Sequence, residues 1–276
     1  MLTGCSNSNT DNVNKTDNTE LTYSNLIDEK TQNEIRNILI ENKIDKKQAD
    51  YFIKLVKNYN DKSDIKKLKT SRPGFTSIST KQVPYDEVTL GEKWDFNELN
   101  YMDFNCRLTA FTIFKNYIES QSKFKGEDNT LMFDIDAIDN NPISRFSKDD
   151  VDKFINLYSA ITVENSQDVT NLSKQIIKEW EKRNISFKDN KTLSMINVFL
   201  HSPEDNLVFV GHAGISIETK DGLLFIEKYG PSLPFQVSKF KDKSELKSYL
   251  MDRLDNNTSG NGASKPIIME NNELMK

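Results

Sequence analysis

Histidine, cysteine and glycine are scarce in this chain, and long apolar runs are missing altogether. Its 276 residues hold two cysteines, two histidines and ten glycines. Two cysteines cannot form a disulfide framework when one of them, Cys5, lies in a polar N-terminal tail. No apolar run approaches the roughly 18 residues needed to cross a bilayer. Lys and Arg form no cluster with interleaved aromatics, and the net charge is −5, so nucleic acid is not an expected partner. The few glycines make no phosphate-binding loop, and no segment repeats. Asp134, Asp136 and Asp139 invite comparison with a calcium loop, but the loop glycine is absent and Arg145 stands where its last ligand should be. No metal and no cofactor is therefore expected.

What the chain does have is enough apolar material for a core, 36% hydrophobic beside 29% charged residues. The first 20 residues supply one Lys and three acidic residues, leaving the remainder nearly neutral. From Ser6 to Glu20 the only aliphatic residue is Val13, so residues 1–20 are expected to be a disordered tether. Its reach would be on the order of 20 Å. Leu2-Thr3-Gly4-Cys5 has the small-residue pattern that precedes a lipid-modified cysteine, with Cys5 as the acceptor. The charged and apolar regions that should come before it are not in this sequence, so an apolar segment upstream of Leu2 is expected.

Helical spacing then predicts a hairpin of two helices within residues 21–62. The first runs from about Glu29 to Asn42 behind Asp28 as cap, and the second begins after Asp45 with Phe52, Ile53, Val56 and Tyr59 on one face. Residues 62–100 are irregular, broken at Pro73-Gly74, Pro84 and Gly91. Leu131-Met132-Phe133 reads as a short strand or turn. Helices are expected from Ser147 through Tyr158, from Gln167 to Lys182 and from Ser244 to Leu254. Strands are expected at Leu193–Leu200, Leu207–Thr219, Leu223–Tyr229 and Phe235–Phe240. Helices first and antiparallel strands second is the α+β order.

Two stretches carry the chemistry. Asn105-Cys106-Arg107-Leu108-Thr109-Ala110 opens a predicted helix reaching about Glu119, with Cys106, Ala110, Ile113 and Phe114 on its apolar side. A thiol on the first turn feels the positive end of the helix, which favours thiolate. The competing use of Cys106 is as a small core side chain. The second stretch is a hairpin, Val210-Gly211-His212-Ala213-Gly214-Ile215, an Asp221-Gly222 turn and a return through Leu223-Leu224-Phe225-Ile226-Glu227. His212 stands between two glycines that leave room beside its ring. His201 lies beside Ser202-Pro203-Glu204-Asp205 and is expected to be an exposed loop residue. With Asp221-Gly222 as the turn, Glu227 falls opposite Ser216 and Tyr229 opposite Gly214. The backbone N–H of Cys106, Asn105 and Asn100 are candidate oxyanion donors, although asparagine before a helix more often caps it.

A helix-start cysteine followed far along by a strand histidine resembles the papain-like cysteine hydrolases, closest to their cell-wall amidase and endopeptidase branch. NCR-x-x-AF together with GHAGISI and FIEKYGPSLPFQVSKF also resembles a family of bacterial surface lipoproteins known only as a domain of unknown function. The resemblance spans roughly Tyr85 to the C-terminus. It implies N-terminal helices packed on an antiparallel half-open barrel, the α+β domain occupying residues 63–276. It also implies a catalytic set of Cys106, His212 and Glu227, with Tyr229 in reserve for orienting His212. The function it implies is hydrolysis of a cell-envelope peptide or amide through a Cys106 thioester, outside the cytoplasm on a lipid anchor. A non-catalytic binding module that keeps the fold, or a thioester acyltransferase, are the alternatives.

Overall fold

The computed structural model describes residues 20–96, 99, 101–120, 129–255 and 262–276, so Cys5, Asn100 and all but the last residue of the expected tether lie outside the described residues. The first element is a strand, β1 (Leu21–Ser24), followed by α1 (Glu29–Glu41) and α2 (Lys46–Ser63). Asp28 and Asp45 cap these helices by accepting backbone N–H groups of their first turns. β2 (Thr76–Ile78) and α3 (Glu87–Phe96) give structure to the stretch expected to be irregular. Then come α4 (Cys106–Phe114), β3 (Ile118–Ser120), α5 (Met132–Asn140), α6 (Lys148–Tyr158), β4 (Ile161–Thr162) and α7 (Val169–Lys182). The strand-rich part is β5 (Ile185–Phe187), β6 (Leu193–Ser202), β7 (Leu207–Thr219), β8 (Gly222–Lys228) and β9 (Phe235–Phe240). α8 (Lys243–Leu254), β10 (Ile267–Glu270) and β11 (Glu273–Leu274) finish the chain.

Nine strands join one antiparallel sheet in the order β11-β10-β6-β7-β8-β9-β1-β2, with β4 added to the far end of β7. The sheet is open: among the described residues its two ends do not meet. β6 to β9 bury side chains on both faces, which is why they read as nearly continuous apolar runs. On one face Ala213, Ile215 and Ile217 of β7 pack with α2, α4, α6 and α7. On the other, Ile196, Val198 and Phe225 pack with Leu246, Tyr249 and Leu250 of α8. Fully burying a Leu such as Leu246 or Leu250 contributes roughly 2 kcal/mol, so α8 is firmly seated.

Several expectations are corrected. Leu21–Ser24 does not belong to a helical hairpin but pairs with both β9 and β2, so the N-terminal region is built into the sheet. Leu131-Met132-Phe133 is the end of a 3-10 turn and the start of α5. α4 stops at Phe114, where a 3-10 turn leads into β3 and its pairing with β5. α4 has no polar face, because Thr109 and Thr112 are buried too and the helix is enclosed on all sides. His201 is not an exposed loop residue: it sits in β6, buried, and its Nδ1 accepts the Ser264 N–H at 3.1 Å. The β7–β8 turn is Lys220-Asp221, with Thr219 paired to Gly222. Gly222 belongs to the strand, and only glycine suits it, because its φ is +123° and a Cβ would lie 2.5 Å from the Phe240 carbonyl oxygen. That change of turn moves Glu227 from opposite Ser216 to opposite Gly214, two residues nearer to His212 than the sequence suggested.

Candidate active site

Cys106 opens α4. Asn105 is its cap: extended backbone, Oδ1 accepting the Leu108 N–H at 3.0 Å and Nδ2 donating to Asp134 Oδ1 at 2.7 Å. Both ends of this side chain are engaged, so the oxyanion role considered for Asn105 gives way to the capping role. Arg107 fixes the same turn from its other side. Its guanidinium grips Asp134 at 3.1 and 2.5 Å and donates to the carbonyls of Thr130 and Val210 at 3.0 and 3.2 Å. Val210 lies two residues before His212, so the helix start is referenced directly to β7.

A third tether comes from below. Asp103 forms a buried ion pair with Lys228 at 2.6 Å, and Lys228 also donates to the Leu233 carbonyl and stands 3.8 Å from the centre of the Tyr59 ring. Desolvation pushes Asp103 up and Lys228 down, and each charge is kept by the other. Because Lys228 follows Glu227, this pair joins the approach to Cys106 to the strand that supports His212.

The histidine and the glutamate sit on the α8 face. His212 Nε2 is 2.7 Å from Glu227 Oε2. The second imidazole nitrogen is left free for Cys106, whose thiol lies close enough to His212 and to the Ala213 N–H for both to hold it down. Ala213 lies one residue past the last β7–β8 pair, so the strand ladder ends beside Cys106. The thiol of the α4 face and the imidazole of the α8 face thus meet where the ladder ends. The space beside Gly211 and Gly214 is taken by Leu200 and by the Phe225 ring, so the glycines admit core side chains rather than a ligand.

Electrostatics match this geometry. Burial alone would push the Cys106 thiol up. The charge and hydrogen bond of His212, the Arg107 charge and the Ala213 N–H outweigh it and hold the thiol below its ordinary value. His212 is opposed by burial and by the Arg253 cation but is raised by the Cys106 thiolate and by Glu227. Glu227 is held down at about 2 despite complete burial, chiefly by Arg253 and His212. These shifts run in the sense of a thiolate–imidazolium pair backed by a carboxylate. Such a pair is a ready nucleophile with its proton carrier attached.

Tyr229, the reserve orienting residue, does not touch His212. Its carbonyl accepts from Arg253, whose guanidinium lies 3.5 Å from the centre of its ring. The residues missed from sequence are Arg253, Tyr249 and Gln236, all hydrogen-bonded to Glu227. A signal for two of them existed: Tyr249 and Arg253 are four apart on one helix face. Asp103 and Asp134 gave none.

An open antiparallel sheet with helices on both faces and a Cys–His–Glu chain at its centre defines an α+β protein organised around a buried thiol. The chain belongs to the family described as a domain of unknown function, DUF4300, whose model matches residues 22–275. No curated protein and no solved structure matches it. Among the described residues no helix is long and apolar enough to cross a membrane.

Proposed function

We propose that the protein is a cysteine hydrolase of papain-like type, with Cys106 as nucleophile, His212 as proton carrier and Glu227 as its orienting group. The reading rests on one observation: His212 is bonded through Nε2 to Glu227 and stands beside Cys106, whose thiol it holds down, on the first turn of a helix. The thiolate attacks the carbonyl carbon of an amide, and its oxygen becomes the oxyanion at the helix N-terminus, within reach of the Cys106 N–H. As the C–N bond breaks, the His212 proton passes to the leaving nitrogen, giving a Cys106 thioester and a free amine. His212 then takes a proton from water, and the hydroxide releases the acid and regenerates the thiolate. A peptide or amide of the cell envelope is the proposed substrate class, and Leu2-Thr3-Gly4-Cys5 with its polar tail supports a lipid anchor outside the cytoplasm.

The burial of the pair favours one alternative. Cys106 is 8% exposed and His212 2%, as suits a module that keeps the fold and binds without turning over. Alkylation separates the two readings. With Cys5 changed to Ser, Cys106 should react with iodoacetamide at pH 6 to 7 faster than free cysteine, strongly slowed by His212→Ala and less so by Glu227→Gln. Slow labelling that His212→Ala leaves unchanged would sink the hydrolase reading and leave the binding module.

A further inference from the structure

Glu227 Oε2 has two claimants. His212 Nε2 lies 2.7 Å from it, and Arg253 Nη1 donates to the same oxygen. Arg253 is almost fully buried, its second amino group donates to the Tyr229 carbonyl, and its guanidinium carbon lies 3.5 Å from the centre of the Tyr229 ring, within cation–π range. One turn earlier on α8, Tyr249 donates to Glu227 Oε1 at 2.7 Å. The last turns of α8 therefore hold both carboxylate oxygens.

A buried glutamate that serves only to orient a histidine does not need a cation. Supplied with one, it shares its charge. His212 is flanked by two anions, the Cys106 thiolate and the Glu227 carboxylate, and two buried anions hold a proton tightly. A proton carrier that binds its proton too tightly is a slow general acid. We propose that Arg253 is a positioning residue of this reaction, acting through Glu227: by sharing the carboxylate with His212 it keeps the imidazolium able to hand its proton to the leaving group. The role rests on the hydrolase reading. The other charges nearby are Arg107 beside Cys106 and, on the opposite face of β8, the Lys228–Asp103 pair. The phenols of Tyr85, Tyr229 and Tyr249 also face Glu227, and burial keeps all three neutral. Arg253 is the cation that bonds the carboxylate.

The test uses the full chain with Cys5 changed to Ser and follows the imidazole C–H signals of its two histidines by NMR across pH, a His201→Gln variant assigning them. Arg253→Met, which keeps an apolar body over the Tyr229 ring, should raise the His212 midpoint by on the order of one pH unit. Arg253→Lys, which keeps the charge, should leave it within a few tenths of wild type. A purely structural role would change the melting temperature without moving the midpoint. An unchanged midpoint in folded Arg253→Met, with fast Cys106 alkylation in the wild type, overturns the role of Arg253 alone. Wild-type Cys106 that alkylates no faster than free cysteine refutes the reaction, and the positioning role with it. Should Arg253→Met not fold, Arg253→Lys decides, since a midpoint displaced by a unit with the charge retained is incompatible with the proposal.

Discussion

Glu227 shows what a single buried carboxylate can do when it accepts from four donors, His212, Arg253, Gln236 and Tyr249. Its folded value of about 2 lies below the ordinary 4.5, so the stability it contributes is fully present above 4.5 and is lost as pH falls toward about 2. His212 works in the opposite sense. Raised in the fold, it contributes at acid pH and loses that contribution as pH climbs through its raised value. Urea unfolding should show wild-type stability falling by on the order of 3 kcal/mol across the acid window. Glu227→Gln should be less stable at pH 7, where Arg253 and His212 lose their partner, and flatter between 4.5 and 2. An equally steep fall in the variant would show that another carboxylate governs the window. His201→Ala should cost about 1–3 kcal/mol, because it leaves the buried Ser264 N–H without an acceptor, and should leave Cys106 labelling unchanged. At this scale Cys106 and His212 were legible because the chain offers so few residues of either type. The exact bearing of Glu227 was not, since choosing Asp221-Gly222 over Lys220-Asp221 as the turn displaced its partner by two residues.

The start of α4 is the element on which the site depends, and it is held by the Asn105 cap, the Arg107–Asp134 bridge and the Asp103–Lys228 pair. Losing a cap costs about 1 kcal/mol, and Asn105→Ala should cost more than that because Asp134 also loses a donor. Lys228→Met leaves Asp103 buried and unpaired, an expected loss of roughly 3–5 kcal/mol. The double variant Lys228→Met with Asp103→Leu should recover a large part of it. Thermal or chemical unfolding measures both, and a double variant as unstable as the sum of the singles would rule out the coupling. Helices with a clear apolar period and an Asp or Ser cap were legible, as α1, α2, α6 and α7 illustrate. β1, β2, β3 and β5 were not. Strands of three or four residues gain their stability from distant partners, which local pattern does not reveal.

At the scale of the whole molecule, β1 lies between β9 and β2, so the sheet path runs through the N-terminal strand. A chain beginning at residue 20 keeps β1, whereas one beginning at residue 25 bares the β9 edge. The shorter chain should lose cooperative unfolding or aggregate, as size-exclusion chromatography and circular dichroism would show. If it remains a monomer with an undiminished melting temperature, β1 is not a working part of the fold. The placing of Arg253 beyond every strand of the β6–β9 run has a further consequence, in time. A ribosome adding about 5–20 residues per second makes Cys106 on the order of ten seconds before it makes Arg253. Under the proposed reaction, the carboxylate behind His212 gains Tyr249 and Arg253 only when α8 arrives, so the proton carrier is tuned after Cys106, His212 and Glu227 have all been made.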